Sequence, residues 1–263
     1  FHSPASRLSA KERDPCMIID ILFVIAAVLP ALVLMKYIYR QDAIESEPKS
    51  LLFRLVLAGA FAVIPVTFLE YGGQYLLSLV LPPDTPLFMV FLMFLVVAPS
   101  EEGCKYYFLK RRTWRHPAFN YRFDGLVYAV FVSLGFAALE NIGYVTQFGL
   151  SVAVTRAVLS VPAHMSFGVF MGSYYGRAKV REVRGDLAGA ARLRRTGLVI
   201  AIILHGFFNS CLVMGSSTAM AVFIGFVLAM YGVVFRRIRT DARADVEFLP
   251  PEGVLWAEEE QEG

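Results

Sequence analysis

Charge is scarce in this chain. Only 18% of its 263 residues are Asp, Glu, Lys or Arg, while 57% are hydrophobic, and the mean hydropathy is +0.56. A soluble domain covers its core with a surface drawn from about 25% charged residues, so this balance excludes an ordinary soluble domain and implies a membrane protein. Cysteine is also scarce. Cys16, Cys104 and Cys211 have neither metal-binding nor redox spacing, which excludes a disulfide framework and a zinc ribbon. No H-E-x-x-H or inverse of it occurs, so the local zinc-protease motif is missing. There is no detectable internal repeat of the transporter kind. No secretory signal with a small-residue cleavage site is evident, and the first apolar segment is expected to be retained.

What is present is apolar run after apolar run. A crossing needs about 20 mostly apolar residues, and about seven segments qualify: 17–39, 51–81, 87–109, 124–147, 152–176, 196–214 and 218–235. The expected fold is therefore all-α, a polytopic transmembrane helical bundle. Pro65, Glu70 and Gly72–Gly73 predict a bend or break in the long second span. Residues 1–16 read as an N-terminal extension, 17–240 as a single transmembrane helical domain with its core motifs at 95–212, and 241–263 as an acidic tail.

The net charge of +3 is unevenly placed. The connections 82–86, 148–151 and 215–217 hold no Lys or Arg. Their counterparts hold Lys110, Arg111, Arg112, Arg115 and Arg122 in one case, and Arg177 to Arg195 in the next. The positive-inside rule then predicts an N-terminus outside and a C-terminus in the cytoplasm. That topology accounts for the basic loops, and no nucleic acid is expected as a partner.

Ionisable groups at bilayer depth are costly and mark function by default. The third span has Glu101, Glu102 and Lys105, the fourth Glu140 and Asn141, the fifth His164, and the sixth His205 and Asn209. Lys105 follows the two acids at helical spacings of four and three, so one ammonium reaches either. His205 and Asn209 share a face. His164 continues in four-residue steps into Gly168, Gly172 and Gly176, a stripe that invites close approach by another helix. At about 1.5 Å per residue, Glu101 and His205 each lie roughly 14 Å from the cytoplasmic end, and His164 roughly 18 Å from the outer side. Glu140 falls nearer the outer side. Any one of these read alone is equally a helix-packing hydrogen bond. Glu70 is read that way, Asn141 also has that reading, and Arg156 is read as snorkelling to the interface.

Acids and imidazoles without an evident Ser or Cys nucleophile point to activated water. Paired acids sharing one lysine can hold one ionised and one neutral carboxyl, as a general base near neutral pH requires. His205 and Asn209 would stabilise an oxyanion. The same side chains offer a second chemistry, a zinc site built from His164 and His205 with Glu140 or one of the paired acids, and an open position for water. No cofactor is assigned, and Zn²⁺ stands as the alternative. A proton- or cation-coupled transporter would also use buried Glu, His and Lys.

E-E-x-x-K (Glu101, Glu102, Lys105), "DGLVYAVFVSLGFAALENIGYV" from Asp124 to Val145, His164 and H-x-x-x-N (His205, Asn209) resemble the PrsW family of intramembrane proteases. More loosely they resemble the wider superfamily of CAAX prenyl proteases and bacteriocin-processing relatives. The resemblance implies an integral protein of the bacterial inner membrane that cuts a single-span membrane protein or peptide, such as an anti-sigma factor, within the lipid bilayer. It makes Glu101 and Glu102 the catalytic acids, His164 and His205 essential histidines and Asn209 the oxyanion helper. The CAAX enzymes have His where this chain has Glu140, so their roles do not transfer to that position. Some members of the wider superfamily are thought to be non-catalytic binding or immunity proteins, which leaves that reading open as well.

Overall fold

The computed structural model describes residues 10–248, with side chains from Ile21 onward. Residues 1–9 of the expected N-terminal extension and 249–263 of the acidic tail lie outside the described residues. Within the described residues the chain is helical, and seven helices are long and apolar enough to cross a membrane. The spans are Ile21–Gln41, Lys49–Ser78, Pro86–Thr113, Asp124–Phe148, Leu150–Val183, Leu187–Met214 and Ser217–Arg243. The first helix begins by Ala10, inside the stretch expected to be an extension.

The fourth span is the centre of the bundle. Its most apolar window is 83% buried, against 22% for the first span and 28% for the third and seventh. It packs on the first, second and fifth spans, and the fifth packs on the sixth. The peripheral spans turn Leu29, Leu32, Phe61, Phe68 and Leu228 outward. A soluble protein does not expose contiguous apolar area on this scale, and acyl chains are its natural solvent.

Apolar lipid gives helices no hydrophobic reason to associate, so close backbone packing has to supply the attraction. Two crossings do so. A Cβ on Gly59 would lie 2.0 Å from the Val132 carbonyl oxygen, and one on Gly135 would lie 2.2 Å from that of Val56, so the second and fourth spans touch backbone to backbone. The stripe after His164 does the same for the fifth span. The space beside Gly168 is taken by Ser133, beside Gly172 by Leu126 and Gly125, and beside Gly176 by the Arg122 carbonyl. Gly59→Ala should therefore lower stability by about 1–3 kcal/mol or more, because the obstruction is backbone and not a flexible side chain. Thermal unfolding in detergent reads this. Gly72→Ala, which meets nothing within 4 Å, should be neutral or mildly stabilising.

The break expected in the second span is absent. Helix continues from Lys49 to Ser78 through Pro65 and Gly72–Gly73, as transmembrane helices often do through proline when neighbours satisfy the freed carbonyl. Gly73 instead lets Val96 of the third span approach. Irregularity appears where no break was expected. Leu92–Val97 is a π-helical turn, with the Ala98 N–H reaching back to Met93. Pro99 follows directly and has no N–H to donate, and a π-turn absorbs that misfit. Glu101 and Glu102 come just after it. The fifth span is interrupted at Leu159, before Pro162. The Tyr231 hydroxyl lies 3.2 Å from the Val158 carbonyl, which Pro162 cannot reach, and 2.9 Å from that of Leu159.

At the basic end of the bundle, the loop after the third span is pinned by Trp114. Its Nε1–H donates to Glu182 at 3.0 Å, and the Arg194 guanidinium lies 4.2 Å from its ring centroid. The segment after the last span folds back here, with Phe248 N–H donating to the Asn120 carbonyl at 2.7 Å.

Candidate active site

The third, fifth and sixth spans bring Glu101, Glu102, Lys105, His164 and His205 together, all buried. Lys105 is the hub. Its ammonium lies 3.1 Å from Glu101 Oε2, 2.8 Å from Glu102 Oε1 and 3.0 Å from His164 Nδ1. An ammonium has three donors and no acceptor, so these contacts use its full capacity. The Phe136 ring lies beneath it at 4.0 Å.

That hub fixes the protons of the imidazoles. Nδ1 of His164 accepts from Lys105, so its Nε2 carries the hydrogen and donates to Glu140 Oε2 at 3.1 Å. His205 has the opposite tautomer. Its Nδ1 lies 2.9 Å from Glu102 Oε1, an acceptor already paired with Lys105, so Nδ1 donates. Nε2 is then a lone pair, 3.0 Å from the Asn209 Nδ2 amide that donates to it. Phe167 stacks on the His205 ring at 4.8 Å and 15°, fixing its plane.

Beside the cluster lies a cavity of about 370 Å³. Glu101, Glu140, His164, His205 and Asn209 line it, with apolar walls from Met93, Val97 and Phe208. Glu102 and Lys105 stand behind. Of the two adjacent acids, only Glu101 faces the cavity. Its Oε1 lies 3.9 Å from His205 Nε2, too far for a direct hydrogen bond, and is open to a water from the cavity.

Not every expected residue joins this group. Asn141 is turned away, its Nδ2 donating to the Ala27 carbonyl of the first span at 2.7 Å and its Oδ1 accepting from Arg156 Nε at 2.8 Å. It therefore ties helices together and does not touch the cavity. Arg156 does not snorkel. It turns inward to Glu140 Oε2 at 2.6 Å and lies 3.9 Å over the Tyr144 ring, because Glu140 and Tyr144 present a charge and a π-face one helical turn apart. Glu70, read as a lone packing acid, is half-buried and lines the same cavity. The sequence signal for Tyr144 was its place one helical turn after Glu140; Arg156, 16 residues on, carried no spacing signal.

Glu101, Glu102, His164 and His205 each offer a ligand atom within 4.8 Å of the others. Glu140 stands outside that group, held by Arg156. Two imidazoles with carboxylates are a donor set suited to zinc. Oε2 of Glu102 is buried without a hydrogen-bond partner, which a bound cation would satisfy. The residues present therefore fit a metal where Lys105 gives up the lone pairs it engages on Glu101, Glu102 and His164.

A family model described as PrsW family intramembrane metalloprotease matches residues 47–235. The chain belongs to the PrsW family. It is 32% identical over 235 residues to Protease PrsW of Geobacillus kaustophilus (strain HTA426), an alignment covering 86% of this chain and 95% of that one. Protease PrsW of Oceanobacillus iheyensis (strain DSM 14371 / CIP 107618 / JCM 11309 / KCTC 3954 / HTE831) is 32% identical over 218 residues, 81% of this chain and 93% of its own. Protease PrsW of Bacillus subtilis (strain 168) is 32% identical over 194 residues, 70% and 79%. No solved structure matches the chain. As a PrsW family member with seven apolar helices, the protein is a membrane protease of the bacterial membrane. The transporter and immunity-protein readings give way to it.

Proposed function

We propose that the protein cuts a peptide bond of a membrane-anchored substrate by glutamate-activated water, with Glu101 as the general base. The observation that supports this reading most is that Glu101, alone of the two adjacent acids, lines the cavity together with His205 and Asn209. A water in the cavity beside Glu101 gives one proton to it, and the water oxygen attacks the carbonyl carbon. The carbonyl π-electrons move to oxygen, where the amide N–H of Asn209 that does not bond His205 donates to the developing charge. Protonated Glu101 then passes its proton to the departing amine, the C–N bond breaks, and the carboxylate regains its charge. Glu102 and Lys105 do not touch substrate; Glu102 sets the tautomer of His205, and Lys105 donates to both acids. His164 and Glu140 extend the chain of hydrogen bonds to Arg156.

The family's description as a metalloprotease adds a second reading at the same place. Glu101, Glu102, His164 and His205 would hold a zinc ion, which when bound polarises a carbonyl and acidifies water. The substrate class we favour is a single-span membrane protein of the anti-sigma-factor type, on the strength of the family likeness.

His205→Ala tests the site. Purified protein in proteoliposomes should cleave a model single-span substrate, and the variant should do so at least about 100-fold more slowly while retaining its helical content. Cleavage at the original rate removes His205 from the mechanism. Metal content measured before and after chelation on the same preparations separates the two chemistries.

A further inference from the structure

At the opposite, basic end of the bundle is a second group of acids that the active site does not use. Asp42 and Glu47 lie in the connection between the first two spans, and Asp124 opens the fourth. All are buried, at 6%, 5% and 2% exposure. Each brings a carboxylate oxygen within 4.8 Å of the other two. Among the described residues none of the three has a Lys or Arg within ion-pair distance.

Their hydrogen bonds leave the charge unbalanced. Asp124 Oδ2 accepts the backbone N–H groups of Asn120 and Tyr121 at 3.1 and 2.7 Å. The Tyr128 hydroxyl lies 2.7 Å from Glu47 Oε2 and 2.8 Å from the Ala118 carbonyl, with one hydrogen for two acceptors. Oδ2 of Asp42 is buried and bonds to nothing. Burial and the neighbouring carboxylates push Asp42 up to about 7, and burial pushes Glu47 up to about 7. Glu47 and Asp124 also hydrogen-bond to each other, and ionising all three acids together calls for a positive charge that no described Lys or Arg supplies.

We propose that Asp42, Glu47 and Asp124 form a binding site for a hard divalent cation, Ca²⁺ by its number of carboxylates, that clamps the first connection to the start of the fourth span. The donors are oxygens only, which suits Ca²⁺ or Mg²⁺ and not the softer, nitrogen-seeking metals. Mg²⁺ dehydrates reluctantly and is usually held by one or two carboxylates with several waters, whereas Ca²⁺ accepts more protein oxygens, so three buried carboxylates favour the larger ion. Asp124 and Tyr128 also account for the D-G-x-V-Y motif, whose Asp and Tyr the hydrolytic site leaves idle. The clamp acts on the central helix of the bundle, the one that presents Glu140 to the active-site cavity. It does not depend on the proposed hydrolytic mechanism.

The test uses the full chain in nanodiscs, stripped with chelator and titrated separately with CaCl₂, MgCl₂ and ZnCl₂. Melting temperature and Tb³⁺ luminescence displaced by Ca²⁺ are the readouts. Ca²⁺ should raise the melting temperature by about 5 °C and saturate. Asp42→Asn and Asp124→Asn should each weaken the apparent dissociation constant at least tenfold, and Glu102→Gln in the other cluster should leave it unchanged. Asp124→Asn disturbs a residue that orders a loop and can fail to fold; Asp42→Asn alters an oxygen that bonds nothing, and it decides the matter alone. No saturable Ca²⁺ response in the parent chain, a response that survives Asp42→Asn, or stabilisation by Zn²⁺ only would each overturn the assignment. A stronger response to Mg²⁺ than to Ca²⁺, lost in the same variants, keeps the site and overturns its assignment to the larger ion.

Discussion

Replacing Glu101 by Gln is expected to lower the rate of substrate cleavage about 1,000-fold while leaving the protein folded. The reasoning is local. Gln has the shape of Glu and keeps an oxygen for Lys105, which lies 3.1 Å from Glu101 Oε2, so the hub survives. What is lost is a carboxylate able to take a proton from water, and general base catalysis contributes about 10²–10⁴-fold. Glu101 is singled out over Glu102 because only Glu101 lines the cavity. Glu102→Gln should also slow cleavage, by a different route: an amide in place of a carboxylate no longer enforces the His205 tautomer. Rates from single-turnover cleavage, with melting temperatures alongside, check both. Full activity in Glu101→Gln would move the base elsewhere in the cavity, and Glu70 and Glu140 are the acids left to take it.

The difference between the two glutamates marks how far the sequence could be read. The spans were legible because lipid imposes a length and a composition on anything that crosses it. The meeting of Glu101, Glu102, Lys105, His164 and His205 was legible because steps of three and four put side chains on one helical face, and polar faces in lipid turn toward each other. Helical spacing says nothing of which neighbour a face meets. That depends on the rotation and tilt of each helix, set by contacts such as Gly59 on the Val132 carbonyl. Hence Asn141, adjacent to Glu140 in sequence, points to the first span, since successive residues on a helix are about 100° apart. Arg156 was read as snorkelling to the interface when its partners were Glu140 and Tyr144. The acids at 42, 47 and 124 are far apart in sequence and follow no helical period together. Only the folding of a connection against a helix start unites them.

Lys105→Met should be among the most destabilising single changes in the protein. Methionine fills the volume over Phe136 but leaves Glu101, Glu102 and His164 Nδ1 without their shared donor. Removing one partner of a buried ion pair costs about 3–5 kcal/mol, because the other charge stays buried and uncompensated. The melting temperature in detergent should fall accordingly, with cleavage abolished. The double variant Lys105→Met/Glu102→Gln removes one of the stranded charges, and it should be more stable than Lys105→Met alone even though it carries one more substitution. Equal or greater loss in the double variant would mean that packing, not charge, makes Lys105 necessary. The same variant speaks to metal. Lys105 engages a lone pair on Glu101, Glu102 and His164, three of the four side chains that could hold an ion. Methionine releases them, so added Zn²⁺ should raise the melting temperature of Lys105→Met by more than it raises that of the parent chain. Zn²⁺ without effect on the variant would leave the ammonium as the cation this cluster is built around.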